Sequence, residues 1–253
     1  PVPWHNDSIY GSPFSNAERA YVQLIKQKVM KEPRDLIQEL LEKKAALKQD
    51  IFEDTIRQFT RFKKHIHEEV ASLRKSVKDE RIRLDVIDNG DYEIQVFIGS
   101  DVLVYHMHTN IFRLPDEHPL WKTDYLQADK ERGFFGIINI YNFLADSYLK
   151  NRMNDIGYLI GRIFINKDEH FMVEGKGQLG FLFRDLTAAE LNDAIMCHII
   201  NVSFVYALEF DLFTPPYDLL SKVSVMQMMD INSNEKLSTG KRLGFKFEAE
   251  DKD

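Results

Sequence analysis

The sequence predicts an α+β protein built on a mainly antiparallel sheet of about six to eight strands, with N-terminal helices and one long core helix. Three observations predict it. Apolar residues recur at helical spacing through roughly the first eighty positions and give way to alternation after Glu80. Aromatic residues are plentiful, with 18 Phe and 10 Tyr, which suits a pleated, half-buried sheet better than a helical bundle. A second helical run, apolar on most faces, returns between Ala188 and Phe210. Residues 1–80 therefore form an N-terminal helical region, a helical hairpin or a coiled coil, and residues 81–253 the sheet domain.

The first helix opens on Ser15-Asn16-Ala17-Glu18, a capping box whose hydroxyl and carboxylate satisfy backbone N–H groups, and it ends before Pro33. A second pattern starts at Pro33, with Leu36, Ile37, Leu40, Leu41, Ala45 and Leu47 on its apolar side. From Phe52 the stripe reads Phe52, Ile56, Phe59, Ile66, Val70, Leu73 and Val77, close to a heptad seam. One helix from Pro33 to Glu80 would be about 70 Å long, so a break is expected near Lys48-Gln49-Asp50, or else a projecting helix. A projecting seam needs cover, and a second copy of the chain is the simplest, giving a homo-dimer through the N-terminal helices. The alternative is that the seam packs on the chain's own sheet.

After Glu80, Arg81–Ile87 and Tyr92–Ile98 read as a hairpin around Asp88-Asn89-Gly90-Asp91, since Asn-Gly supplies the positive φ a tight turn requires. A third strand runs from Val102 to about Phe112. The stretch Arg113–Arg132 is a long irregular loop, a kind of segment that commonly forms a lid, a binding loop or a partner contact. Phe135–Ile140 reads as strand and Tyr141–Met153 as helix, followed by short strands at Tyr158–Ile165, Phe171–Glu174 and Leu179–Phe183. The helix Ala188–Phe210 ends before Pro215-Pro216, and Lys222–Met229 and Arg242–Glu248 close the sheet, with Met226 and Met228 on one core face. Gln178–Phe183 echoes Arg242–Phe247 at four identical positions, as two strands entered from glycine turns would. This order of elements resembles that of GAF- and PAS-type sensory domains. The resemblance lies in element order alone, so it implies a fold and transfers no ligand and no site.

Charge and cysteine usage narrow the classes. Between Ser15 and Asp85 there are 17 Lys and Arg against 13 Asp and Glu, while the rest of the chain holds 16 against 27. The sheet domain is thus too acidic to suit nucleic acid, whereas the basic side of the second helix (Arg57, Arg61, Lys63, Lys64, Arg74, Lys75, Lys78) could meet phosphates. Cys197 is the lone cysteine, which rules out an internal disulfide and a two-cysteine metal motif and fits a reducing, cytoplasmic setting. The opening PVPWHNDSIYGSP lacks the basic and apolar regions of a secretory signal. The longest uncharged run, Ala194–Leu208, is too short and polar to span a bilayer, so no membrane partner is expected.

Few patterns carry chemistry. His106-Met107-His108 puts two imidazoles on one face of a strand, with Asp116, Glu117 and His118 following; two His and a carboxylate such as Glu117 would make a zinc or iron set. Gly175-Lys176-Gly177-Gln178-Leu179-Gly180 fits the dinucleotide spacing, but Phe181-Leu182-Phe183 reads as strand where that motif needs a helix, so a hairpin turn is expected. Lys176 and Arg242, on glycine turns, are candidate contacts for an anion. Trp121, in the long loop, is a candidate ligand contact. There is no nucleophile elbow, phosphate loop or zinc-protease motif. The expected function is a non-enzymatic intracellular regulatory, ligand-sensing or adaptor protein, with no cofactor and a small molecule or protein as partner. Two alternatives stand beside it: a metal-dependent enzyme using His106 and His108, and a nucleic-acid-binding protein using the basic helix.

Overall fold

A computed structural model describes residues 32–150, 152–212, 214, 217 and 224–226. The capping box at Ser15, the first helix, the strand Arg242–Glu248 with Arg242, and the echo it makes lie outside the described residues. The chain forms two compact units, residues 1–47 and 48–253. In the first, Pro33 opens helix α1 (Pro33–Glu39) without a side-chain cap, and a π-helical stretch, Leu40–Ala45, follows.

The second unit holds a seven-stranded antiparallel sheet: β1 (Leu84–Asp88), β2 (Glu93–Ile98), β3 (Asp101–Met107), β4 (Phe112–Arg113), β5 (Phe134–Leu144), β6 (Tyr158–Asn166) and β7 (Phe171–Gly175). Strands lie in chain order, β1-β2-β3-β5-β6-β7, and the short β4 continues the line of β3 along the first residues of β5. The meander follows from short connections: Gly90 and Gly99, at φ 79° and 59°, make the two tight turns.

Helix α2 (Ala46–Ser76) lays Phe59, Phe62, Ile66 and Val70 on one face of this sheet, against Ile94, Val96, Leu103, Tyr105 and Ile138. The heptad-like seam from Phe52 to Leu73 therefore packs on the core of the chain's own domain, while Val77 lies past the end of α2 and is exposed. Lys48, Gln49 and Asp50 lie inside α2, so the expected break is absent there. Thr55 sits so close over Gly136 that a Cβ there would lie 2.0 Å from its Oγ1, and only glycine permits the approach.

Four expected elements come out differently. β5 runs on to Leu144 because β3 and β6 pair with it on both sides, across a bulge at Ile140/Tyr141, which leaves only Ala145–Leu149 as helix α4. Leu179–Phe183 is mostly helix: α5 spans Gly177–Leu182, and the β7 edge is served by Val173 N donating to Phe183 O at 2.7 Å. The late helix, here α6 (Asp193–Leu208), starts where the Asn192 side chain accepts from Ile195 N, since the preceding Glu190 is bridged to His170. It packs beside α2 through Met196, Ile199, Ile200 and Phe204, but Val205 and Leu208 are exposed, so it is covered on one side only. Of the expected strand Lys222–Met229, Val225 and Met226 are described and are helical, with Met226 exposed instead of in a sheet core.

Candidate functional site

The sheet face opposite α2 and α6 carries two apolar patches. One, Phe97, Val102 and Val104, packs with Ala145 and Tyr148 of α4. The other, Phe135, Ile137, Phe164 and Met172, is roofed by Leu114 and Leu126 from the Arg113–Arg132 loop. Between them the strand registers line up Glu93, His106, Asn139, Arg162 and Glu174 as one polar row across β2, β3, β5, β6 and β7. Arg162 pairs with Glu174 at 2.6 Å, and Glu93 accepts from Asn89 and Gln95 at 2.8 Å each.

The loop is not structureless. It folds as two 3-10 turns, Pro119–Lys122 and Lys130–Gly133, around a short helix α3 (Asp124–Ala128). Each start is capped locally: His118 Nδ1 accepts from Leu120 N, Thr123 Oγ1 from Leu126 N, and Asp129 from Glu131 N. Asn166, fully buried at the end of β6, ties the loop down. Its Nδ2 donates to the Tyr125 hydroxyl (3.0 Å) and to Arg132 O (3.4 Å), while its Oδ1 accepts from the N–H groups of Asp168 (3.0 Å) and His170 (3.1 Å). Arg132 Nε reaches Asp168 at 2.7 Å with the guanidinium 4.3 Å over the Tyr125 ring. Burial raises the Tyr125 hydroxyl above its ordinary range. Lys167 holds Asp129 (2.6 Å) and Glu131 (2.7 Å), and its hydrogen bond keeps the Asp129 carboxyl below the usual range.

This scaffold presents Trp121. Its indole Nε1 donates to Pro115 O (2.8 Å), its carbonyl accepts from Gln127 Nε2 (2.6 Å), and its six-membered ring rests on Gly133, where a Cβ would lie 2.2 Å from Cη2. The Arg113 guanidinium lies 4.9 Å and Lys130 Nζ 5.8 Å from the indole centroid. Together with Asp116, Gln127, Glu131 and Phe134 they line an open cleft of about 340 Å³. Arg113 pairs with Asp116 at 2.6 Å; Lys130 has no carboxylate partner among the described residues. The cleft holds an aromatic surface, two cations and two carboxylates.

The other candidate residues are dispersed. His106 belongs to the polar row, His108 stacks edge-on to Phe112 at 4.7 Å with Nδ1 accepting from Asn110 N, His118 is a turn cap, and Glu117 is exposed. Among the described residues no three His, Cys, Asp or Glu side chains come together as a metal set, so His106, His108 and Glu117 do not form one. Lys176 is exposed before α5. The glycine motif does stand between a strand and a helix, contrary to the expected hairpin turn, but its glycines serve packing: a Cβ on Gly180 would lie 2.2 Å from Gly175 O, and Gly177 turns the chain at φ 53°. The Cys197 thiol is raised by burial and by the carboxylates of Glu69 and Asp193, which leaves it a poor nucleophile. Tyr125, Asn166 and Arg132 carry no local signal for this role: Asn166-Lys167-Asp168-Glu169 reads as a turn in the sequence, but its bonds run to a loop about forty residues earlier.

No described helix is long and apolar enough to cross a membrane. Comparison with known proteins yields no match to a family model, a curated protein or a solved structure.

Proposed function

We propose that this chain is a non-enzymatic cytoplasmic regulatory or adaptor protein that senses or recruits its partner through the Arg113–Arg132 loop. The supporting observation is Trp121 held out beside Arg113 and Lys130 on a loop that Asn166 and Arg132 lock to the sheet. A rigid aromatic flanked by cations, with little conformational entropy left to lose, is the composition of a recognition point. A homo-dimer through the N-terminal helices would need surface other than Phe59, Ile66 and Val70, which the sheet already covers.

The nucleic-acid reading loses ground on charge. Of the seven basic residues it invokes, Arg57, Arg61, Lys63, Lys64 and Arg74 are each engaged by a carboxylate, which leaves Lys75 and Lys78 for phosphate.

The binding reading is tested with a photo-crosslinking residue at Gln127, in the cleft, and a control at Glu174 on the sheet face. In the source cells we expect a discrete adduct from position 127 that disappears with Trp121→Ala and is absent from the control. An adduct indifferent to Trp121→Ala, or none, refutes the reading.

A further inference from the structure

We infer that residues 33–47 form an interface with the same stretch of a second copy of the chain, the two helical segments running antiparallel across a two-fold axis. This goes beyond the binding reading above and does not depend on the Trp121 cleft. The first observation is an apolar stripe left open to water. No residue of α1 or of the π-helical stretch after it is buried. Ile37, Leu40 and Leu41 are 58, 48 and 61% exposed, and Leu36 is only half-buried beside them. Steps of three and four residues put these side chains on one side of the helix, the pattern by which a surface helix meets an apolar neighbour. In α2 the same pattern, from Ile51 to Val70, is buried. In residues 33–47 no described residue covers it.

Charge identifies the occupant. From Glu32 to Glu42 there are four carboxylates, Glu32, Asp35, Glu39 and Glu42, against one cation, Arg34. From Lys43 to Leu47 there are two cations, Lys43 and Lys44, and no carboxylate. Every charged group is counted, including Lys43 and Glu39, which pair at 3.2 Å across the boundary between the halves and leave both totals as they are. The stretch is thus negative and then positive along its length. A uniformly basic or acidic partner would match one half and repel the other. The same stretch read in the opposite direction matches both: antiparallel pairing sets the negative half of each copy beside the positive half of the other, with Leu40 and Leu41 meeting near the axis. Parallel pairing would set like against like. The helix macrodipoles favour the antiparallel arrangement as well, since ends of opposite sign then adjoin. At Leu40, near the centre of this pairing, the backbone widens into the π-helical stretch, a rare form that recurs at functional sites.

The test is the mass of the full chain in solution, measured by sedimentation over a range of concentration. We expect a monomer–dimer equilibrium. Leu40→Glu with Leu41→Glu should weaken it by about tenfold or more, because charge enters the middle of the contact. Two further variants examine the charge order: one carries Lys43→Glu and Lys44→Glu, the other Asp35→Lys, Glu39→Lys and Glu42→Lys. Each by itself should be monomeric where the parent is a dimer, and the two mixed should form a heterodimer, which misfolded chains would not do. Trp121→Ala should leave the dimer unchanged. A parent that stays monomeric at the highest concentration reached overturns the inference, as does a dimer indifferent to Leu40→Glu with Leu41→Glu. Charge-reversed variants that each dimerise as the parent does, or that fail to pair with one another, overturn it too.

Discussion

The Tyr105 hydroxyl donates to Ser203 Oγ across 2.5 Å inside an otherwise apolar core, and Ser203 in turn donates to Ile200 O at 2.7 Å. The two side chains come from β3 and α6, and the Tyr105 ring lies 5.5 Å from that of Phe62 on α2. This single tyrosine therefore registers both helices against the sheet. Burial drives its hydroxyl far above the ordinary range, so it stays protonated and a donor at any physiological pH. We expect Ser203→Ala to cost about 1–2 kcal/mol, because it leaves the tyrosine hydroxyl buried without an acceptor. Tyr105→Phe should cost less, and the double variant less than the sum of the singles; additive losses in denaturant titrations would show that the pair is not coupled.

The contact of Thr55 with Gly136 leaves no room for a side chain. Gly136→Ala should lower stability by about 2–3 kcal/mol, with partial recovery when Thr55→Ala removes the hydroxyl and methyl that a Cβ would meet at 2.0 and 2.7 Å. A calorimetric melting point for Gly136→Ala equal to that of the parent would mean that α2 does not approach β5 this closely.

Asn166→Ala breaks four hydrogen bonds at once and strands the N–H groups of Asp168 and His170. A loss of about 2–4 kcal/mol is expected. Amide exchange should accelerate in residues 114–133 well before it does in β2 or β3. Uniform acceleration across the sheet would mean that Asn166 supports the whole domain and not the loop.

Asn142 is buried on the helix-covered face opposite Leu103, and neither atom of its amide group has a partner among the described residues. Asn142→Leu should raise stability by about 1–2 kcal/mol, since an unsatisfied amide is replaced by an apolar group of similar size. A destabilised Asn142→Leu protein would reveal an unrecognised partner for the amide.

Asp193, at the first position of α6, is held below the ordinary carboxyl range by its hydrogen bond to His65 and then by Arg61, at 3.0 and 2.6 Å. A carboxyl whose pKa is depressed by folding stabilises the native state above its unfolded value, about 4, and that contribution fades as pH falls through the folded value. Asp193→Asn should therefore melt below the parent near neutral pH, with the gap closing in acid. A gap that stays constant down to strongly acidic pH would show that the tie between α2 and α6 is not ionic.

Much of the fold was legible because it follows local rules. The hairpin at Asn89-Gly90, the third strand, β6, β7 and the apolar stripe of α2 all announce themselves by alternation, by helical spacing or by a glycine turn. Two of the misread segments, Tyr141–Leu144 and Leu179–Phe183, are ones where neighbours overrule propensity. β3 and β6 bond the first from both sides, and Gly177 turns the second onto the flank of α6. Of the site, only Trp121 and the loop that carries it could be picked out beforehand, since loop length and composition are local properties.

By itself, then, the sequence determined the class of fold, the order of most strands and the existence of an exposed long loop, all consequences of short-range periodicity and turn chemistry. The tertiary structure decided what the seam from Phe52 to Leu73 faces, and that His106, His108 and Glu117 form no three-residue metal group. It also decided that Arg113 and Lys130 meet at Trp121, because those relationships depend on which distant surfaces bury each other, and apolar burial has no direction until the sheet is assembled.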